Sequence, residues 1–139
     1  MTNLPEALLT VFLRSRTLLV CGLIALSGCS GKTPPPMVPV NGKVTMDGKA
    51  ITGGAVYLHP DASNSFQDDK PSGQLQLDGS FTIRTFPFGD GVPPGRYKVT
   101  LVPELASRIG HPEYGQLEST PWQITVPEGG LTDQKFEVQ

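Results

Sequence analysis

The sequence predicts an all-β fold, a seven-stranded antiparallel β-sandwich. Three observations carry this prediction. Apolar residues alternate with polar ones at a period of two over short runs. Gly, Pro and Asp turns separate those runs. Gly 16 and Pro 14 among 139 residues leave little room for long helices.

The elements follow in order from Val38. Val40, Gly42, Val44 and Met46 alternate with Asn41, Lys43 and Thr45, and Asp47-Gly48 turns the chain. Gly42 inside that run marks a bulge or a close backbone approach. Gly53-Gly54 precedes Ala55–His59, which Pro60 ends. A polar loop, Asp61–Pro71, leads to Leu75 and Leu77, set between Gln74 and Gln76. Asp78-Gly79 is the best two-residue hairpin signal, with Phe81 and Ile83 continuing the alternation beyond it. The loop Phe86–Pro94 leads to Gly95 and a strand in which Tyr97, Val99 and Leu101 face one way. Pro103–Pro121 reads as a long irregular segment, and no 3.6-residue period appears in the domain. Trp122, Ile124 and Val126 form the next strand, and Phe136 and Val138 lie on the last. The predicted inward set is Val40, Val44, Val56, Leu58, Leu75, Leu77, Phe81, Ile83, Tyr97, Val99, Leu101, Trp122, Ile124, Val126, Phe136 and Val138.

The first residues read as an address. Arg14 and Arg16 precede the apolar run Thr17–Leu26, and small residues follow, the layout of a secretory signal peptide. The uncharged stretch is shorter than the roughly 20 residues a spanning helix needs. Leu26-Ser27-Gly28-Cys29 resembles the lipobox of bacterial lipoproteins. The resemblance implies cleavage between Gly28 and Cys29, and a lipid thioether with further acylation, such as palmitate, on Cys29. Residues 1–28 are thus expected to be a signal peptide, 29–37 a lipidated Cys with a Pro-rich tether, and 38–139 the domain. Pro34-Pro35-Pro36 favours an extended spacer. Cys21 and Cys29 are the only cysteines, so the mature chain is expected to hold no disulfide. Removing residues 1–28 takes Arg14, Arg16 and Glu6 from 11 basic and 13 acidic residues, leaving net charge −3. That balance argues against a nucleic-acid partner. The expected tether to the membrane is the lipid on Cys29, at a bacterial cell envelope, facing the periplasm or the cell surface.

Five segments together carry a second resemblance: Val40-Asn41-Gly42-Lys43-Val44-Thr45, Asp47-Gly48-Lys49, Gly54-Ala55-Val56-Tyr57-Leu58, Asp78-Gly79-Ser80-Phe81-Thr82-Ile83 and Pro93-Pro94-Gly95-Arg96-Tyr97-Lys98-Val99. Their order resembles the carboxypeptidase regulatory-like domain, a transthyretin-like (prealbumin-like), Ig-like β-sandwich, over residues 38–139. The resemblance is greatest to small bacterial lipoproteins made of a signal, a lipobox and one such domain. It implies a scaffold more than an activity.

Candidate chemistry is sparse. His59 and His111, beside Pro60 and Pro112, are the only histidines and read as exposed loop-end residues. Two histidines without Cys or a spaced carboxylate make a poor zinc set. Asp68, Asp69 and Asp90 lack calcium-loop spacing and read as solvated turn acids. Ser63, Ser65, Ser72, Ser80, Ser107 and Ser119 lie outside any G-x-S-x-G motif. The transthyretin-like hydrolases of a purine-derived ring need a Tyr-Arg-Gly-Ser that Phe136-Glu137-Val138-Gln139 does not supply. Metallocarboxypeptidases keep their zinc in a separate domain. The loop aromatics Phe66, Phe86, Phe88 and Tyr114 can stack on sugars, anchor a protein or cap the sandwich. Phe86-Pro87-Phe88, expected beside Pro103–Pro121, is the patch of interest.

The reading is therefore a non-enzymatic, lipid-anchored envelope protein without cofactor or metal, acting as a structural or protein-interaction module. An envelope protein or a glycan is its candidate partner. The alternative is a ligand-binding module for glycan, peptide or metal, with specificity in its loops.

Overall fold

A computed structural model describes Thr33 and residues 35–139. Gly28, Cys29, the signal-peptide region and most of the tether lie outside the described residues.

The described chain is predominantly β and forms two sheets around one apolar core. The first is built on β1 (Val40–Met46), whose alternation puts Val40 and Val44 in the core. β2 (Lys49–Ala50) returns on β1 through the Asp47-Gly48 turn, with Thr45 opposite Ala50 and Met46 opposite Lys49. β5 (Ser80–Thr82) pairs antiparallel with β1 on the same side. β10 (Leu131–Val138) lies along the other side of β1 and runs parallel to it. An all-antiparallel arrangement is thus corrected at this pair, which joins the first and last strands. Their register shifts between Val40 and Gly42, the bulge expected at Gly42. A Cβ on Gly42 would overlap the carbonyl oxygen of Gln134, so only glycine lets β10 approach this closely.

The second sheet contains β3 (Ala55–Pro60), β4 (Ser72–Gln74), β6 (Arg84–Thr85), β7 (Gly89–Asp90), β8 (Gly95–Leu101) and β9 (Gln123–Val126). Its order is β7-β6-β4-β3-β8-β9. Among the described residues the strands therefore fall into ten segments, three of them two residues long, where the sequence suggested seven runs. Val38 joins the domain through a bridge to Val92, with its N–H 2.8 Å from the Val92 carbonyl.

All of the predicted inward positions are buried except Leu77, which is 94 % exposed, and Trp122, which is half-buried. Leu77 is explained by its turn. The Gly79 N–H bonds the Gln76 carbonyl, and the Gln76 N–H bonds that of Ser80. Leu77-Asp78-Gly79 is therefore a three-residue loop closed by Gly79 at φ 78°, not a two-residue hairpin at Asp78-Gly79. The extra loop residue takes Leu77 out of the inward alternation. The turn also passes the chain from β4 of one sheet to β5 of the other.

The irregular reading of Pro103–Pro121 is corrected too. The segment holds α1 (Pro103–Arg108) and a 3-10 turn (Pro112–Gly115), each opened by a proline. Leu105, Ala106 and Tyr114 enter the core, as do Ile51 and Val92. Arg108 Nη2 ties the end of α1 to the carbonyls of Thr52 and Gly53, both at 2.9 Å. No helix among the described residues is long and apolar enough to cross a membrane.

Candidate functional site

Three strands of the first sheet set down a row of polar side chains. Lys43 on β1 stands in register between Ser80 on β5 and Lys135 on β10. One step along, Asn41 faces Thr82. These positions belong to the outward half of the alternation that buries Val40, Val44 and Phe81. The row continues onto the second sheet through Ser72 and Gln74 of β4, with Gln76 and Arg84 at its margin. Together they line an open groove of about 890 Å³ that also takes in Asp133 and Gln134.

Two of the three cations that line this groove have a carboxylate partner beside it. Lys43 Nζ lies 3.8 Å from Asp78, and Arg84 Nε lies 2.7 Å from Asp90. The serine hydroxyl and amide of Ser80 donate to Asp78 at 2.6 and 3.1 Å. Those two bonds, with a smaller contribution from Lys43, hold the Asp78 carboxyl below the usual aspartate range. Like charges directly opposite on neighbouring strands repel, and Lys43 and Lys135 are such a pair. No ion pair of Lys135 falls among the described residues, and Asp133 lies two positions away on the same strand.

A smaller recess of about 410 Å³ adjoins the groove and shares Ser72 and Arg84 with it. Its other walls are Lys70, Thr85, Phe86, Pro87 and Gly89. Phe86 is 85 % exposed there. The loop aromatics thus separate into different fates. Phe66 and Phe88 pack edge to face at 5.8 Å, both half-buried. Tyr114 is a core residue against Trp122 at 4.6 Å, and its hydroxyl accepts from the Gln139 N–H. Phe86 alone of the four stands out in solvent, and its recess takes no wall from Pro103–Pro121, where the sequence placed it.

The two histidines are separately engaged. His59 is half-buried on β3, not at an exposed loop end, with Nε2 2.9 Å from Thr100 Oγ1. Burial, then Lys70, lowers its pKa, against an opposing pull from Glu118. His111 precedes the 3-10 turn with Nδ1 3.0 Å from Glu113. The Glu113 carboxyl sits below its ordinary range through a backbone bond within its own residue and the bond from His111. No group of three His, Cys, Asp or Glu residues able to hold a metal occurs among the described residues. Ser63 and Ser119, like Ser80, donate to local acceptors, the first to Asp61 at 2.7 Å and the second to the Glu113 carbonyl at 2.9 Å. Asp90 is the partner of Arg84.

Sequence reasoning singled out Phe86 but passed over Asn41, Lys43, Gln74, Gln76, Arg84 and Lys135. Each sits on the polar half of an alternation and reads locally as ordinary wet surface. The usable signal was the density of side-chain amides at 41, 74, 76 and 134. The chain matches no family model, no curated protein and no solved structure.

Proposed function

We propose that this chain is a non-enzymatic, lipid-anchored protein of a bacterial cell envelope, with a carboxypeptidase regulatory-like β-sandwich as an interaction module. The observation that carries the reading is Leu26-Ser27-Gly28-Cys29, placed directly behind a basic and then apolar leader. The domain's first core strand begins at Val40, eleven residues after Cys29, so a Pro-containing tether separates lipid from fold. In this reading two or more acyl chains on Cys29 hold the protein at the membrane, since one chain binds only reversibly. Ser63 and Ser80 donate to Asp61 and Asp78, not to an imidazole, and Thr100, the hydroxyl beside His59, is buried away from any substrate, which favours a binding role over a hydrolytic one.

The test is intact mass and membrane fractionation of the full chain expressed in a bacterium. The expected product begins at Cys29, carries acyl mass and sediments with membranes. Cys29→Ala should leave an unprocessed, unacylated precursor. Cleavage elsewhere without lipid overturns the reading.

A further inference from the structure

We propose that the groove across β10, β1, β5 and β4 binds a neutral glycan strand, with Phe86 as the stacking platform at one end. The inference deepens the interaction-module reading above and assigns its ligand class.

Continuity is the first argument. The 890 Å³ groove and the 410 Å³ recess share Ser72 and Arg84, so one path leads from Lys135 to Phe86. The larger volume alone lies within the roughly 300–1,000 Å³ of ordinary ligand sites.

Hydrogen-bonding chemistry is the second. Asn41, Gln74, Gln76 and Gln134 bring four amides to one groove. An amide side chain both donates and accepts, as a sugar hydroxyl does. Ammonium groups only donate and carboxylates only accept, so the amides are the groove's two-way hydrogen-bonding groups beside its hydroxyls.

Charge is the third. Asp78 answers Lys43 and Asp90 answers Arg84, while Lys135 and Asp133 oppose each other in sign. Lys70 of the recess adds a fourth cation, so with Asp78 and Asp90 counted from beside the walls the path carries four cations against three carboxylates, an excess of one that is too small to select a polyanion. An apolar peptide fits no better, because peptide anchors need apolar or aromatic pockets. The one aromatic along the main groove, Phe81, is 2 % exposed and belongs to the core.

Phe86 completes the site. Phe86, 85 % exposed, is the one aromatic ring that the recess opens to solvent. A pyranose offers such a ring a flat face of C–H groups while its hydroxyls remain at the rim. Phe86 beside Arg84 and Ser72 provides both halves of that contact.

The experiment uses the full chain in detergent micelles on an array of neutral and acidic oligosaccharides. The neutral set includes cellohexaose, chitohexaose, laminarihexaose and mannohexaose, and the acidic set includes hyaluronan and heparin fragments. Calorimetry then follows with the tightest neutral glycan. Binding should survive about 0.5 M NaCl, because it does not rest on ion pairs. Phe86→Ala and the double variant Gln74→Ala/Gln76→Ala should each weaken it about tenfold. Leu77→Ala, an exposed apolar residue outside the groove, should leave it unchanged. All three variants alter exposed side chains, and thermal unfolding checks that each remains folded. Binding of no neutral glycan, binding of acidic glycans alone with release by salt, or indifference to both groove variants overturns the proposal. Intact mass on the same preparation separates the two readings. Lipidated protein without glycan binding sinks the groove and leaves the anchor, whereas binding by unlipidated protein does the reverse.

Discussion

The Tyr97 hydroxyl donates to the carbonyl of Pro93 at 2.6 Å, four residues back along the chain. The bond closes the Pro93-Pro94-Gly95 corner onto the strand that it feeds. Tyr97 is 1 % exposed, and burial pushes its pKa up to about 12, so it stays a donor at any physiological pH. Tyr97→Phe keeps the ring and strands a carbonyl. A loss of about 1–3 kcal/mol is expected. It should appear as a lower urea midpoint with an unchanged slope.

Gly42 opposes Gln134 at the bulge between the first and last strands. Gly42→Ala places a methyl group on the Gln134 carbonyl, and backbone cannot swing aside as a side chain can. The expected cost is at least about 1–3 kcal/mol. Hydrogen exchange should show β10 amides losing protection before those of β8. Equal loss in both strands would mean that the parallel pair is not the weak point.

Leu77 lies in the turn and Phe81 on the strand that follows it, and the two should respond oppositely. Leu77→Ser changes a side chain already in water and should stay within about 0.5 kcal/mol of the parent. Phe81 is 2 % exposed and stacks with Phe136 at a centroid distance of 5.9 Å. Phe81→Ala should cost about 3–5 kcal/mol. Chemical unfolding of both variants checks the three-residue loop. A large loss from Leu77→Ser would restore the two-residue hairpin.

The lowered pKa of His59 sets a pH dependence. The unfolded chain, near the ordinary 6.5, binds the proton more readily than the fold does. His59 therefore costs nothing above that value and destabilises increasingly as pH falls from it toward the lower folded-state pKa. The lowered carboxylates of Asp61, Asp78, Glu113 and Glu137 act further into acid. Their stabilisation is present above the ordinary 3.8 and 4.5 and is lost as pH falls through the folded-state values. His59→Gln should flatten the stability profile just below 6.5 and leave the acid limb intact. Thermal melts across that range measure it, and an unchanged slope would refute it.

The sequence alone determined what depends on neighbours a few residues apart. Alternation placed β1, β3, β8 and β9 and most of their inward side chains, because a strand sends successive residues to opposite faces. Gly42 was legible as a bulge for the same local reason. Tertiary structure alone decided the rest. The parallel union of β1 with β10 joins residues about ninety positions apart, and nothing in either strand names its partner or its direction. α1, at six residues, is too short to display a helical period, so Leu105 and Ala106 entered the core unannounced. Tyr114 looked like a loop aromatic until the core supplied Trp122 as its neighbour. The groove is the extreme case. Asn41, Lys43, Gln74, Gln76, Arg84 and Lys135 are ordinary wet positions one strand at a time. They become a surface only when burial of a shared apolar core draws four strands side by side, and the outward faces are carried along with the inward ones.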